Sequence, residues 1–164
     1  MITIISGTNR KDSNTEKIAA IYQEILSEKK IEFLFLSLQK IKSVERNENF
    51  EKLESEYLIP AQKFIIVMPE YNGSFPGIVK LMIDNSNVVD CWRNKKVLLC
   101  GVSTGRAGNL RGMEHLTGSL MHMQMVVHPN RLPISSVNQI IAKMESFAAI
   151  KELIITQVEN FLLF

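Results

Sequence analysis

Three short segments combine glycine with hydroxyl, amide and charged side chains in an order that suits ligand binding. The first, GTNRKDSNT at residues 7–15, precedes a stretch of helical period. A helix that begins there presents unpaired backbone N–H groups and the positive end of its dipole, which together suit a phosphate. The segment adds donor side chains on Thr8, Arg10, Ser13, Asn14 and Thr15. Because Ser13 to Glu16 also has the form of a helix capping box, phosphate binding and simple capping both remain open.

The second segment, PEYNGSFPG at residues 69–77, follows the third apolar run of the chain. Asn72-Gly73 is a strong turn signal, and Pro76 is suited to the start of a helix. Candidate ligand contacts here are Pro69, Glu70, Tyr71, Asn72 and Gly73. These polar and aromatic groups exceed what a turn requires, and they suit a wall against a flat heteroaromatic ring. The alternative is a tight turn with a packed tyrosine.

The third segment, STGRAGN at residues 103–109, follows the fourth apolar run. Gly105 and Gly108 are three residues apart and would let the backbone approach a ligand closely. An arginine between them is placed to face an anionic edge. Candidate contacts are Ser103, Thr104, Gly105 and Arg106. The alternative is a flexible loop with a solvated arginine.

Other kinds of site have little support in this sequence. The first segment contains neither a Walker A motif nor Gly-x-Gly-x-x-Gly, which argues against an NTPase and a dinucleotide-binding Rossmann domain. The histidines at 115, 122 and 128 lack metal-ligand spacing, so no metal site is predicted. Cys91 and Cys100 lack it too, and Cys100 is expected to be a buried thiol. No nucleophile with a partnering base is apparent, so no catalytic side chain is predicted.

The apolar runs predict the scaffold that positions the three segments. Five are rich in β-branched residues and predict strands: Ile2–Ser6, Ile31–Ser37, Phe64–Met68, Lys96–Val102, and Met125–His128 or slightly beyond. Stretches of helical period alternate with them, which favours a doubly wound α/β fold with a parallel sheet. Five strands in the order 2-1-3-4-5 suit this length. In that order, ligands bind beyond the carboxyl ends of strands one, three and four, where the three segments lie.

The intervening stretches predict helices of different character. Apolar residues share one helical face over 18–26, begin another helix at 78–82, and continue over 110–124 and from Ile140 to about Phe161. The polar stretch from Ser43 to Pro60 predicts a short helix with solvated flanks.

Length and composition limit the remaining classes. A chain of 164 residues with 46% hydrophobic and 22% charged residues is expected to form one domain over residues 1–164. A net charge of +2 without a dense Lys/Arg run gives no support for a nucleic-acid partner. No apolar stretch approaches the roughly 20 residues that cross a bilayer, and the first residues do not form a signal peptide. We therefore expect a cytoplasmic protein without a membrane partner.

Taken together, the three segments resemble the NADPH-dependent FMN reductases, a family that includes quinone, chromate and azo-dye reductases. The first is similar to the family's Gly-Ser-x-Arg-x-x-Ser-x-Asn, although Thr15 replaces the final Asn. The family's Pro-Glu-Tyr-Asn is intact at 69–72, and the third segment is similar to Ser-x-Gly-x-x-Gly. The resemblance is weak over 36–60.

This resemblance implies a flavodoxin-like three-layer sandwich that binds FMN and uses NADPH, or NADH, as electron donor. Hydride would reach the flavin N5, and electrons would pass to a small acceptor such as a quinone, flavin, azo compound or chromate. The first segment would bind the FMN phosphate. Residues 70–73 would flank one side of the ring, and residues 103–106 would meet its other edge. The family also implies a homodimer or homotetramer.

Three other interpretations remain open. An FMN-binding electron carrier is usually strongly acidic, and the net charge of +2 argues against one. A receiver-type signalling domain needs an acidic cluster after the first strand, where this chain has Ser6-Gly7-Thr8. A relative that has lost the flavin and serves as an interaction module is left open by the altered residues before Pro60.

Overall fold

Strands and helices alternate along the chain in the computed structural model, which describes residues 1–43 and 45–164. The strands are β1 Ile2–Ser6, β2 Phe33–Ser37, β3 Lys63–Pro69, β4 Lys96–Val102, β5 Val126–Val127 and β6 Leu132–Ile134. The α-helices are α1 Asn14–Glu28, α2 Glu48–Leu53, α3 Gly77–Asn85, α4 Val88–Cys91, α5 Leu110–His122, α6 Val137–Ala142 and α7 Met144–Leu163. A 3-10 turn follows β2 at Leu38–Lys40, and a π-helical turn follows α2 at Glu54–Leu58.

All pairings in the sheet are parallel, and the strand order is β2-β1-β3-β4-β5. This is the flavodoxin-like order that the sequence predicts. The expected fifth strand is divided in two, because β6 also pairs with β4, farther along it than β5 does. The His128 N–H still donates to the Val97 carbonyl, but the next residue, Pro129, has no N–H to continue the ladder.

Helices cover both faces of the sheet, as nearly continuous apolar strands require. Side chains of β3 alternate between two cores. Ile65 and Val67 pack in the core that contains α1 and α7, whereas Phe64, Ile66 and Met68 pack in the core of α2, α3 and α5. The sheet is therefore the middle of three layers. Within the described residues, none of the helices is long and apolar enough to cross a membrane.

Two helical predictions need correction. The helix expected to run unbroken from Ile140 is interrupted at Lys143, whose extended backbone (φ −121°) separates α6 from α7. The polar stretch before Pro60 does contain a short helix, but it continues into the π-helical turn and buries Glu54. Burial is offset there because the carboxylate of Glu54 pairs with Arg46 at 2.5 Å and accepts the Asn87 N–H at 2.6 Å.

Candidate functional site

The three segments leave the same edge of the sheet. Ser6 at the end of β1 is paired with Val67 of β3, which is paired in turn with Cys100 of β4. The first segment leaves close beside β3, where the Gly7 N–H donates to the Val67 carbonyl at 2.7 Å. A Cβ on Gly7 would lie only 3.0 Å from that of Met68, so glycine is what allows this close approach.

Two adjoining clefts open between the segments, with volumes of about 320 and 420 Å³. They share three lining residues, Glu70, Ser103 and Thr104. The first cleft is further lined by the predicted residues Arg10, Ser13, Asn14, Thr15, Pro69 and Tyr71. The second is further lined by the predicted residues Asn72, Gly73, Gly105 and Arg106. The structure therefore brings together residues that are up to about a hundred positions apart in the sequence.

Thr8 is the predicted residue that lines neither cleft. It is fully buried, and its hydroxyl hydrogen bonds to the Tyr71 hydroxyl at 2.7 Å while accepting the Arg10 N–H at 3.2 Å. The Arg10 guanidinium lies over the Tyr71 ring, 4.1 Å from its centroid. These contacts join the first segment to the second at the wall of the first cleft.

The first segment presents a row of backbone donors. Ser13 caps α1 by accepting the Glu16 N–H at 3.1 Å, as the capping interpretation predicts. The Glu16 carboxylate, however, accepts from the Gln39 amide, so the reciprocal half of a capping box is replaced by a contact to the turn after β2. Within the described chain, the N–H groups of residues 11–15 have no hydrogen-bond acceptor. Capping therefore leaves most of the helix start available to an anion.

The second segment forms a two-residue turn. Tyr71 and Ser74 exchange both backbone hydrogen bonds, and the two residues between them, Asn72 and Gly73, have positive φ angles of 51° and 74°. Asn-Gly is the preferred pair for such a turn. The N–H groups of both central residues lack acceptors among the residues that the structure describes, and both residues line the second cleft.

The third segment is held from within. The Ser103 hydroxyl donates to the Gly105 carbonyl and accepts the Gly108 N–H, each at 2.9 Å. The Ser103 hydroxyl therefore stabilises the loop itself. This role was not predicted from the sequence. The N–H groups of residues 104–107 lack acceptors in the part of the chain described here, and these residues line the second cleft. The loop therefore offers backbone donors to that cleft.

Sequence reasoning missed several lining residues. Lys11 and Asp12 lie inside the first segment, so their position between predicted residues could have identified them. Val137, at the start of α6, also lines the first cleft, and its neighbour Asn138 accepts a hydrogen bond from the Asn14 side chain at 2.6 Å. Nothing in the local pattern around α6 marks it as part of a site. It reaches the cleft only because β6 returns the chain to the edge of β4.

Groups that could support other chemistry lie elsewhere. Burial raises the pKa of both Cys91 and Cys100 to about 12, so their thiols stay protonated, and neither residue lines the two clefts. His128 is buried between Phe161 and Phe164. Among the described residues there is no group of three or more His, Cys, Asp or Glu side chains that could hold a metal ion.

The donor set fits a phosphorylated flavin. Unpaired N–H groups at a helix start, beside Arg10 and Lys11, suit a phosphate dianion. Unpaired N–H groups on the turn and on the third segment suit the carbonyls and nitrogens of a flat ring. The model of the NADPH-dependent FMN reductase family matches residues 1–139. The chain belongs to this family. It is therefore an oxidoreductase, and FMN and NAD(P)H are its cofactors.

Individual relatives agree with the family. Over 133 residues, the chain is 25% identical to a 2-hydroxy-1,4-benzoquinone reductase from Burkholderia sp., covering 77% of this chain and 73% of the relative. The fold is shared with FerB, a flavoenzyme NAD(P)H:(acceptor) oxidoreductase from Paracoccus denitrificans, with a TM-score of 0.72, 21% identity and 97% of each chain covered. An NADH:FMN oxidoreductase named EMOB gives a TM-score of 0.75 at 17% identity, covering 99% of this chain and 88% of the other.

Proposed function

We propose that this protein transfers hydride from NADPH, through FMN bound at the carboxyl edge of the sheet, to a small quinone. The observation that carries the proposal is the set of unpaired backbone N–H groups around the two adjoining clefts. Quinone is favoured among small acceptors because the Burkholderia relative is a 2-hydroxy-1,4-benzoquinone reductase. Flavins, azo compounds and chromate are further acceptors to test.

The first cleft is the proposed phosphate subsite. The unpaired N–H groups of residues 11–15 lie at and just before the start of α1, where the helix dipole favours an anion. The hydroxyls of Ser13 and Thr15, the amide of Asn14 and the guanidinium of Arg10 complete the donor set. Thr8 supports this subsite from behind, through its hydrogen bonds to Tyr71 and Arg10.

The second cleft is the proposed ring subsite. Glu70, Asn72 and Gly73 form one side, and Ser103, Thr104, Gly105 and Arg106 form the other. Pro69 and Tyr71 adjoin this subsite from the first cleft. FMN, when bound, supplies the redox chemistry by accepting hydride at N5 and passing two electrons on. The chain's own contribution is to orient the ring with backbone donors and to stabilise negative charge at its polar edge. No side chain is assigned as catalytic acid or base.

We further propose that the protein works as a homodimer or homotetramer in the cytoplasm. The oligomer proposal is supported by the exposed apolar side chains of Val88, which lines the cleft between α3, α4 and α5, and of its neighbour Val89. The compartment is supported by two buried cysteines that are both free. Sedimentation of the purified protein tests the oligomer, and a monomer at micromolar concentration would contradict it.

The function is tested by purifying the protein, adding FMN, and then adding NADPH with and without benzoquinone. We expect flavin absorbance to remain with the protein, to bleach with NADPH under nitrogen, and to recover on addition of the quinone. Bound flavin that NADPH does not reduce would favour an electron carrier instead. Failure to bind added FMN would favour an interaction module and would contradict the proposal.

A further inference from the structure

Asn109 ends the third segment and contacts the second, beside the proposed ring subsite, although it lines neither cleft. It is fully buried, with a left-handed φ of 61°, and immediately precedes α5. Its side-chain nitrogen donates to the carbonyls of Met68 at 3.1 Å and Pro69 at 2.9 Å, and its backbone N–H donates to the Glu70 carboxylate at 3.2 Å. We propose that Asn109 is a positioning residue that fixes the loop between β3 and α3 for FMN. This inference rests on the proposed function.

The contacts of Asn109 fix one peptide plane. The carbonyl of the Pro69–Glu70 peptide accepts from Asn109, and the N–H of the same peptide donates to the Val102 carbonyl at 2.9 Å. A peptide held at both ends cannot rotate without breaking one of these hydrogen bonds. The turn whose unpaired N–H groups line the second cleft begins at the next residue, Tyr71. The direction of those donors therefore depends on this plane.

Asparagine is the residue type that meets both demands at position 109. Asparagine tolerates the left-handed backbone and carries two amide hydrogens on a short side chain, whereas glycine has no side-chain donor and ionised aspartate has only acceptors. The start of α5 is shaped to admit it. A Cβ on Gly112 would lie 2.0 Å from the Asn109 Oδ1 atom and 2.7 Å from the Phe75 nitrogen. Gly112 thus leaves space for Asn109 and for the same loop where it returns toward α3.

Asn109→Gly tests the inference, because glycine keeps the left-handed backbone and removes only the side chain. Asn94→Gly is the matched control. Asn94 also has a φ of 61°, but it is exposed and lies at the opposite edge, just before β4. We expect Asn109→Gly to weaken FMN binding by roughly tenfold or more, from the loss of two side-chain hydrogen bonds, and Asn94→Gly to leave it unchanged.

Two readouts separate positioning from a loss of stability. In the protein without FMN, the backbone amide resonances of Asn72 and Gly73 should shift in Asn109→Gly and not in Asn94→Gly. At saturating FMN, the flavin midpoint potential should become more negative in Asn109→Gly, because loosened donors stabilise the reduced ring less. Equal affinity, potential and resonances in the two variants would overturn the inference.

Asn109→Asp provides a second test. Once protonated, the introduced carboxyl can donate one hydrogen bond to the carbonyls that Asn109 serves. We therefore expect its FMN affinity to improve as the pH is lowered, relative to wild type, and a parallel pH profile would overturn the inference. If the wild type binds no FMN, the proposed function fails, and the amide resonances of the FMN-free proteins alone decide the role of Asn109.

Discussion

The two edges of the sheet treat their backbone polar groups in opposite ways. At the carboxyl edge, three loops leave N–H groups without acceptors in the described chain. At the amino edge, lysines provide donors for carbonyls at helix ends. Lys63 at the start of β3 donates to the Phe161 and Leu162 carbonyls, each at 3.0 Å, and Lys96 at the start of β4 donates to Phe164.

The difference shows which groups the fold needs and which it leaves available. Carbonyls at the last turn of a helix cost free energy if they are buried without donors, and the lysines remove that cost within the chain. Donors at the first turn of a helix have the same need, but around the candidate site a ligand would meet it. The amino edge should therefore control stability, and the carboxyl edge should control affinity for FMN.

The largest effect on stability is expected from Lys95→Met. Lys95 is buried, and its Nζ donates to the carbonyls of Leu58 at 2.9 Å and Ile59 at 3.0 Å. Removing the donor leaves carbonyls at the end of the π-helical turn without partners, so we expect a loss of about 2–3 kcal/mol in the free energy of unfolding. Urea unfolding measures it, with exposed Lys17→Met as the control. If Lys95→Met also lost affinity for FMN, this would contradict the expectation that the two edges control stability and affinity separately.

Gly73→Ala has the next largest expected effect. It should act on the affinity for FMN, whereas Lys95→Met should act on stability. Gly73 has a φ of 74°, and an added Cβ would come no closer than 3.5 Å to Arg111, so the cost is backbone strain alone. Strain of this kind is about 1–2 kcal/mol, and relieving it would turn the N–H groups of the turn away from the cleft. We expect FMN affinity to fall roughly tenfold. Gly118→Ala, on the open face of α5, is the control; equal FMN affinities would contradict the expectation.

The same contrast explains what the sequence could predict. Strands β1 and β4 begin and end where their apolar runs do, because burial on both faces leaves a local pattern. The loops could be predicted from glycine, proline and Asn-Gly for a similar reason, since local backbone geometry favours these residues in turns. The positioning role of Asn109 was not predicted from the sequence, because its contacts, to Met68 and Pro69, are about 40 residues away in the chain. The break in the helix at Lys143 was not predicted because neither glycine nor proline marks it.

Arg10→Ala should reduce FMN affinity by a smaller factor, about threefold to tenfold, because Arg10 is exposed and the backbone donors remain. The loss should shrink as salt is added, since exposed charges are screened. Isothermal titration at two salt concentrations measures both effects, with exposed Arg93→Ala as control. Unchanged affinity would show that the Arg10 guanidinium takes no part in binding the phosphate.

The smallest effect is expected from the pH dependence of stability at the amino edge. Burial lowers the pKa of His128, and the nearby positive charge of Lys63 lowers it further. His128 Nδ1 accepts the Asn130 N–H. Since the unfolded state then binds more protons, stability should fall as the pH drops below about 6.5, the ordinary pKa of histidine. His128→Gln should flatten this part of the profile, whereas exposed His122→Gln should not.

This prediction is tested by measuring the free energy of unfolding of wild type, His128→Gln and His122→Gln between about pH 8 and pH 5. Parallel profiles for His128→Gln and wild type would mean that His128 takes no part in it. FMN affinity provides the sharper comparison, because His128 lies near the helix end that Lys63 and Lys96 hold, far from the loops of the candidate site. A His128→Gln protein whose stability profile flattens while its FMN affinity stays constant would show that the two edges are adjusted independently.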